Sequence, residues 1–499
     1  MMSSGLRERH ADDAIRGLFG RDSIYVVLWS VQIALAALLT PVVTRLLGPQ
    51  QFGLVASAIA VMQVLFTVGG YGLQTGIQRA YARTDGEQRS RRLVAFGLIL
   101  GVATWALFYG TGALWAPAIG FESFVPPVQY AVSWAALSAM TGVALGLVRS
   151  RNQLGWFAAV TLLQSVLAEL LALGLVIFVD RTASSYVLGQ MLGQAAALVA
   201  AIIAARPRLP LHTDRLLLRG TLRYSLPLVP AALAAYVMDG SDRLVIHADL
   251  GVDQVGRYSV ARNIGGFTMI LLAVLNTMWL PRLFAMKDRL VQDDVLARSR
   301  DAIVGLVVAG MVALTMASPL LLALWVPPSY DPEDLLLVTA LGAISALPMA
   351  GVQMASQVLL LRNRTLPIAV AALVAAVVNL GLNLALVPTL GIEGAAAITF
   401  CCYGLQLLTV QWVASSIASV PRPSARFVVL VLGGAVASLG SAWLPAHGPA
   451  LALRVVVALA AGAVLCWQFA GLVAPDRRVA LLGRLPRTLR RSVTRVRNG

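Results

Sequence analysis

The sequence predicts an all-α membrane protein of about fourteen transmembrane helices, on three observations. Of 499 residues, 58% are hydrophobic and only 12% charged, and the mean hydropathy is +0.79. A soluble domain carries about 25% charged residues, so most of this surface faces something other than water. Runs of about 20 apolar residues, enough to cross a bilayer core, recur along the whole chain. The basic residues alternate: 33 of 39 fall in the connections of one side, and two, Arg45 and Arg181, in those of the other. The remaining four, Arg243, Arg257, Arg262 and Arg454, lie within spans or at their ends.

Spans are expected at 24–47, 53–77, 93–115, 127–148, 155–179, 184–205, 221–247, 255–280, 302–326, 335–361, 366–388, 391–417, 426–444 and 450–472. The first twenty-odd residues are polar, and the apolar run Ile24–Leu47 is too long for the core of a cleavable signal, so span 1 is retained. Basic clusters follow spans 2, 4, 6, 8, 10 and 12 and fill both terminal segments. The positive-inside rule then places both termini in the cytoplasm. One span more or fewer would scramble the alternation. Spans 3, 9 and 13 end outside with Trp115-Ala-Pro117, Trp325-Val-Pro327 and Trp443-Leu-Pro445, where Trp suits the interface and Pro stops the helix.

The net charge of +16 does not point to nucleic acid, because the arginines sit at alternate ends of apolar segments rather than on one soluble face. Cys401, Cys402 and Cys466 lie in apolar stretches without a CxxC pair and read as span-filling residues. No metal site, cofactor or catalytic set is expected.

An internal repeat runs at an offset of 203. Leu47-Gly48-Pro49-Gln50-Gln51-Phe52-Gly53 faces Leu250-Gly251-Val252-Asp253-Gln254-Val255-Gly256. Ala58 faces Ala261, and Arg79-Ala80-Tyr81-Ala82 faces Arg282-Leu283-Phe284-Ala285. Trp115-Ala-Pro117 parallels Trp325-Val-Pro327, and Arg149-Ser-Arg151 parallels Arg362-Asn-Arg364. Six spans per repeat is an even number, so both halves share one orientation, related by an axis along the membrane normal. The expected division is a cytoplasmic segment 1–22, a six-helix lobe 23–205, a second six-helix lobe 206–420, two additional helices 421–475 and a basic cytoplasmic tail 476–499. In that tail Leu482, Leu485, Leu489, Val493 and Val496 form a stripe among arginines, an amphipathic helix on anionic lipid or a solvated basic tail.

The motifs carry a resemblance. Thr44-Arg45-Leu46-Leu47-Gly48-Pro49 with Phe52-Gly53 resembles the first loop of polysaccharide repeat-unit flippases. Asp242-Arg243-Leu244, then Leu250-Gly251 and Val255-Gly256-Arg257-Tyr258-Ser259, is similar to the same family, as is Asn379-Leu-Gly-Leu-Asn383 followed by Pro388, Gly391 and Gly394-Ala395-Ala396. The family is the polysaccharide transporter branch of the multidrug/oligosaccharidyl-lipid/polysaccharide flippase superfamily, and the resemblance covers about residues 20–420. It implies a V of two six-helix lobes in the bacterial inner membrane. It also implies translocation of undecaprenyl-pyrophosphate-linked oligosaccharide, with membrane lipids, a glycan polymerase and glycosyltransferases of the same pathway as partners. Such a substrate needs a polar cavity with cations for its pyrophosphate, while its tail stays in lipid. No P-loop is present, so no nucleotide hydrolysis is implied.

Charges inside spans cost about 2.5–3.5 kcal/mol each at a helix centre, so the few present are candidates. At a rise of 1.5 Å per residue, Asp239 lies about 12 Å below the outer end of span 7 and Arg262 about 9 Å below that of span 8. Arg45 and Arg243 share this outer half. Arg79 and Arg282 hold equivalent cytoplasmic positions in the two repeats. These five arginines are the candidate substrate-binding residues, because a guanidinium fork holds phosphate oxygens in pairs. The alternatives are snorkelling for Arg79 and Arg282, and pairing with Asp239 or Asp242 for Arg262. Asp239 and Arg243, four apart on one face, form either an intrahelical ion pair or part of a cavity wall. Glu169, in mid-span 5 with no basic neighbour on its own helix, pairs across helices or is protonated. It joins Asp239 and Asp242 as an ion-coupling candidate. Asn379 and Asn383, one turn apart, are expected to bond between helices.

The rival in the same superfamily is a multidrug exporter, whose branch usually carries an acid in the first span; Ile24–Leu47 has none. A membrane glycosyltransferase or polymerase needs catalytic residues on large outer loops. Here those loops are short, and Glu122, Asp331, Glu333 and Asp334 form no recognisable set. A non-transporting assembly partner would not need the repeat.

Overall fold

The computed structural model describes residues 23–83, 85–209, 215–284, 289–362, 364–417 and 424–472, without the side chains of 23–37, 277–284, 289–295, 298 and 470–472. The terminal segments 1–22 and 476–499 and the side chain of Arg282 lie outside the described residues.

Every regular element among the described residues is helical. The first stretch comprises α1 (Ser23–Gly69), α2 (Leu73–Tyr81), α3 (Gly86–Gly110), the single turn α4 (Gly112–Trp115), α5 (Pro126–Ser150), α6 (Leu154–Phe178) and α7 (Ala183–Ala205). Then come α8 (Arg215–Ser225), α9 (Leu228–Leu250), α10 (Val252–Gly265), α11 (Phe267–Phe284) and α12 (Arg289–Trp325). The last are α13 (Leu336–Ile344), α14 (Ala346–Leu361), α15 (Leu366–Ile417), α16 (Ala425–Gly440) and α17 (Gly448–Leu472). The helix ends expected from Trp-x-Pro are present at Trp115 and Trp325, where α4 and α12 stop.

Eleven segments among the described residues are long and apolar enough to cross a membrane. Two are double-length, Leu38–Tyr81 with 44 residues and Leu366–Ile417 with 52. At about 1.5 Å per residue each exceeds twice the roughly 30 Å hydrocarbon core, and each holds a break at a glycine, Gly48 (φ 70°) and Gly391 (φ 66°), the first segment turning again at Tyr71–Gly72 between α1 and α2. A positive φ costs glycine nothing, whereas a Cβ would clash there. Helix α9 has 23 residues but stands outside the eleven, since Asp239, Asp242 and Arg243 lower its hydropathy. The expectation of about fourteen crossings depends on these three segments.

By contacts the chain divides into two compact units. Among the described residues the first runs from 23 to 260 with 322–332 and 369–402; the second is 261–321 with 333–368 and 403–472. In the first, α5 is the central helix, with Val128, Ala131, Ala135, Ala144 and Leu147 at most 1% exposed. Small residues set its neighbours' distances. A Cβ on Gly97 or Gly101 of α3 would meet Val143 or Met140 of α5 at 2.7 or 2.5 Å. Helices α6 and α7 approach more closely: a Cβ on Gly189 would lie 2.3 Å from Ala172 Cα, and one on Gly193 2.2 Å from Ala168 Cα. Small residues four apart on both faces let the backbones touch, the usual means of helix association in lipid.

In the second unit, Leu272, Ile303, Leu306, Val307, Ala346 and Ala350 form the core. Thr268 of α11 donates to the carbonyl of Ala343 at 2.9 Å, and Gln357 donates to Asn276 at 2.6 Å. Helices α16 and α17 are apolar yet outward-facing, with Val436, Leu459 and Trp467 at 70%, 69% and 76% exposure. Phe427, Val431 and Leu465 pack against that core, and the exposed apolar faces of both helices are suited to lipid. Arg454 of α17 is the exception. It is fully buried and donates to the carbonyls of Ser441 and Leu444, in the connection just after α16.

Candidate functional site

Three features of the structure carry charge or polarity into the apolar body. The first is a crossing at the ends of spans that the charge pattern assigns to the outside. The repeat loops place Gly48 at φ 70°, ψ 175° and Gly251 at φ 88°, ψ 167°, nearly one conformation at positions 203 apart. Each glycine reverses the chain into a new helix, and those helices cross. A Cβ on Gly53 would lie 1.8 Å from the carbonyl oxygen of Val252, and one on Gly256 2.1 Å from that of Pro49. Each contact is the other shifted by the repeat. Around the crossing, the Thr44 hydroxyl donates to the Trp325 carbonyl at 2.8 Å, and His247 bonds Ser57 at 2.7 Å. The ring of Phe121 lies 4.3 Å from that of His247. Tyr330 is wholly buried, and burial, with the charge of Asp253, holds its phenol above the ordinary range and neutral.

The second is a polar network between α6 and α7. Tyr186 donates to both oxygens of Glu169 at 2.9 and 3.1 Å, and Gln190 donates to Oε2 at 2.5 Å. The close α6–α7 packing sets this up, since Ala168 lies against Gly193 and Ala172 against Gly189. A π-helical turn, Leu163–Leu167, runs directly into Ala168 and Glu169; such turns recur at functional positions.

The third is a cavity of about 610 Å³ at the basic ends of α2, α3 and α8, lined by Arg79 among others. The guanidinium of Arg79 stacks over the Tyr224 ring, 4.1 Å from its centroid.

The other candidates fall as follows. Arg45 is exposed and caps α12 by donating to the Leu324 carbonyl at 2.8 Å. Asp242 is buried, accepting from the Tyr258 hydroxyl and from the Arg243 backbone N–H, the latter at 2.9 Å. Asp239 is exposed and Arg243 half-buried on the same helix. Arg262, 7% exposed, belongs to the second unit, where its aliphatic stem passes Gly342 of α13. Arg282 sits in the last turn of α11. The structure thus places Arg45, Arg79, Arg243, Glu169, Asp239 and Asp242 in the first unit, with Asp239, Asp242 and Arg243 together on α9 and the others on separate helices. Asn383 donates to Asn379 within its own helix, at 2.9 Å to the carbonyl and 3.1 Å to Oδ1, and the Asn379 side chain also bonds Cys402 beyond the Gly391 break.

Residues 42–332 match the family described as "polysaccharide biosynthesis protein". The chain belongs to the polysaccharide biosynthesis protein family. The fold of this polysaccharide biosynthesis protein is similar to that of the lipid II flippase MurJ in its inward closed conformation. That match has a TM-score of 0.69 at 12% identity and covers 89% of this chain and 98% of the other. It is also similar to a multidrug resistance MATE family transporter of the MOP superfamily, inward-facing, with a TM-score of 0.55 at 15% identity over 81% and 98% of the two chains. No curated protein matches by sequence. The motif resemblance and the family therefore agree: this is a polytopic protein with the fold of that superfamily's transporters.

Some residues of this polysaccharide biosynthesis protein escaped the sequence reading. Tyr186 and Gln190, the partners of Glu169, continue to Gln194, which donates to Thr141 at 2.9 Å. Their four-residue spacing marks one polar face along span 6, a signal present in the sequence. Tyr258, His247 and Tyr224 gave no such signal, because their partners are distant in sequence.

Proposed function

We propose that this protein is a flippase of the bacterial inner membrane that moves undecaprenyl-pyrophosphate-linked oligosaccharide repeat units from the cytoplasmic to the outer leaflet for surface polysaccharide synthesis. The observation that carries the reading is membership of a polysaccharide biosynthesis family joined to the fold of a lipid II flippase over 89% of the chain. The sequence adds support, because span 1 lacks the acid usual in the multidrug branch. Alternating access by two repeat-related lobes, 23–205 and 206–420, gives the movement, with both termini cytoplasmic. Arg45, Arg79, Arg243, Arg262 and Arg282 are the cations offered to the pyrophosphate, and Glu169, Asp239 and Asp242 the groups offered to a coupling ion. The lipid-linked oligosaccharide and membrane lipids are the partners, alongside the polymerase and glycosyltransferases of the pathway; no bond is made or broken.

Deletion in a strain without a second flippase tests this. Lipid-linked oligosaccharide should accumulate on the cytoplasmic leaflet and surface polysaccharide should fall. Leaflet-specific labelling that shows normal translocation would refute the proposal. Normal translocation with new drug sensitivity would favour the exporter.

A further inference from the structure

The cavity at the basic ends of α2, α3 and α8 is built from three separate pieces of chain. Helix α2 supplies Arg79, the turn after it Arg83 and Asp85, and α3 Arg89 and Arg92. Helix α8 closes the far wall with Gly220, Thr221 and Tyr224. Two glycines let α8 sit this close. A Cβ on Gly76 would lie 2.4 Å from Ser225 Oγ, and one on Gly72 2.6 Å from the Ser225 carbonyl. The chain just after α7 is tied to α3, for Arg91 donates to the Arg206 carbonyl at 2.5 Å and Arg208 N–H to the Arg91 carbonyl at 3.1 Å.

Four arginines and one aspartate therefore line one cavity. The other nearby acid, Glu87, is taken by Arg151 at 2.5 and 3.1 Å. Like charges around one concavity repel, and an anion among them converts that repulsion to attraction. The ring of Tyr224 holds the Arg79 guanidinium by its face, which leaves the N–H edge for a second partner. On α8, Leu217, Leu218 and Leu222 pack against the core, whereas Leu216 on the cavity rim is 84% exposed. A basic hollow with an apolar lip matches a phosphate group carried on a hydrocarbon chain.

We infer that this cavity is a binding site for the phosphate head group of an anionic lipid in the leaflet on the basic side of the protein. Arginine forks hold the phosphate oxygens, and the acyl or prenyl chain runs out past Leu216. Two lipids share this chemistry, a bulk anionic phospholipid and a polyprenyl phosphate. The site does not depend on the flippase reading. It stands if translocation proves normal in the deletion strain.

The test uses the full chain in nanodiscs of phosphatidylcholine, with phosphatidylglycerol or undecaprenyl phosphate added and retained lipids counted by native mass spectrometry. In the double variant Arg83→Gln, Arg89→Gln, retention should weaken about tenfold or more, the scale of two lost charge-assisted bonds. Tyr224→Leu keeps charge and apolar bulk and should weaken it less, by a few-fold; it serves if the double variant does not accumulate. Arg364→Gln, outside the cavity, should change nothing. Tighter retention of undecaprenyl phosphate than of phosphatidylglycerol assigns the cavity to the polyprenyl carrier, and equal or weaker retention assigns it to bulk lipid. Wild-type retention of both probes by the double variant and by Tyr224→Leu overturns the inference, as does an equal loss in Arg364→Gln.

Discussion

Glu169 is an acid placed among neutral donors, Tyr186 and Gln190, rather than beside a cation. Such a carboxyl is positioned to change protonation or to accept a small cation, whereas a structural acid in a span is usually paired. Glu169→Gln keeps the shape and an acceptor for Tyr186. Transport should fall about tenfold and lose its response to the proton or sodium gradient, with stability changed by no more than about 1 kcal/mol. Unaltered gradient dependence would mean that the network only holds α6 to α7. Arg262 is the complementary case, a buried cation. If it grips pyrophosphate, Arg262→Ala should cut transport about tenfold or more at an unchanged level in the membrane, with Arg262→Lys intermediate because it lacks the fork. Full activity in the alanine variant, or loss through failure to accumulate, leaves a structural role. Single charged residues inside spans were legible in the sequence because their cost makes them rare. Their partners were legible only where a helical spacing exposed them, as at 186, 190 and 194.

At the scale of elements, the repeat motif was legible as matching letters, and its purpose appears only when the two copies meet. Gly53 and Gly256 are each required by a carbonyl on the other copy's helix. Gly53→Ala or Gly256→Ala should each destabilise by about 1–3 kcal/mol, the range of overpacking, read as thermal unfolding in detergent. Gly404, where an added Cβ has no atom within 4 Å, is the control. Its alanine variant should be neutral, or more stable by up to about 1 kcal/mol. Equal effects at all three positions would remove the crossing as the cause. Span boundaries were readable where Trp and Pro mark them. The breaks within α1 and α15 were readable only as a glycine between two long apolar runs, since nothing local distinguishes a kinked glycine from a packed one. The Asn379–Asn383 bond along α15 was not read from the sequence, because a polar pair one turn apart can bond within its own helix as well as to a neighbour.

For the whole molecule, topology is the property the charge pattern constrains most. Reporter fusions after Arg92, Arg223 and Arg300 and at Gly499 should read cytoplasmic, and one near Asp331 should read outside. An outside signal at Gly499 would refute an even number of crossings. The same experiment bears on how the chain is inserted. Arg454 carries its charge into α17, and the carbonyls that receive it belong to the connection just after α16. On its own, α17 would bring an unsolvated guanidinium into the bilayer. Beside the end of α16, it brings one whose Nη2 already donates to two carbonyls. The last two helices are therefore expected to enter the bilayer together, as a hairpin. A ribosome that stops after α16 leaves carbonyls waiting for a donor that has not yet been synthesised.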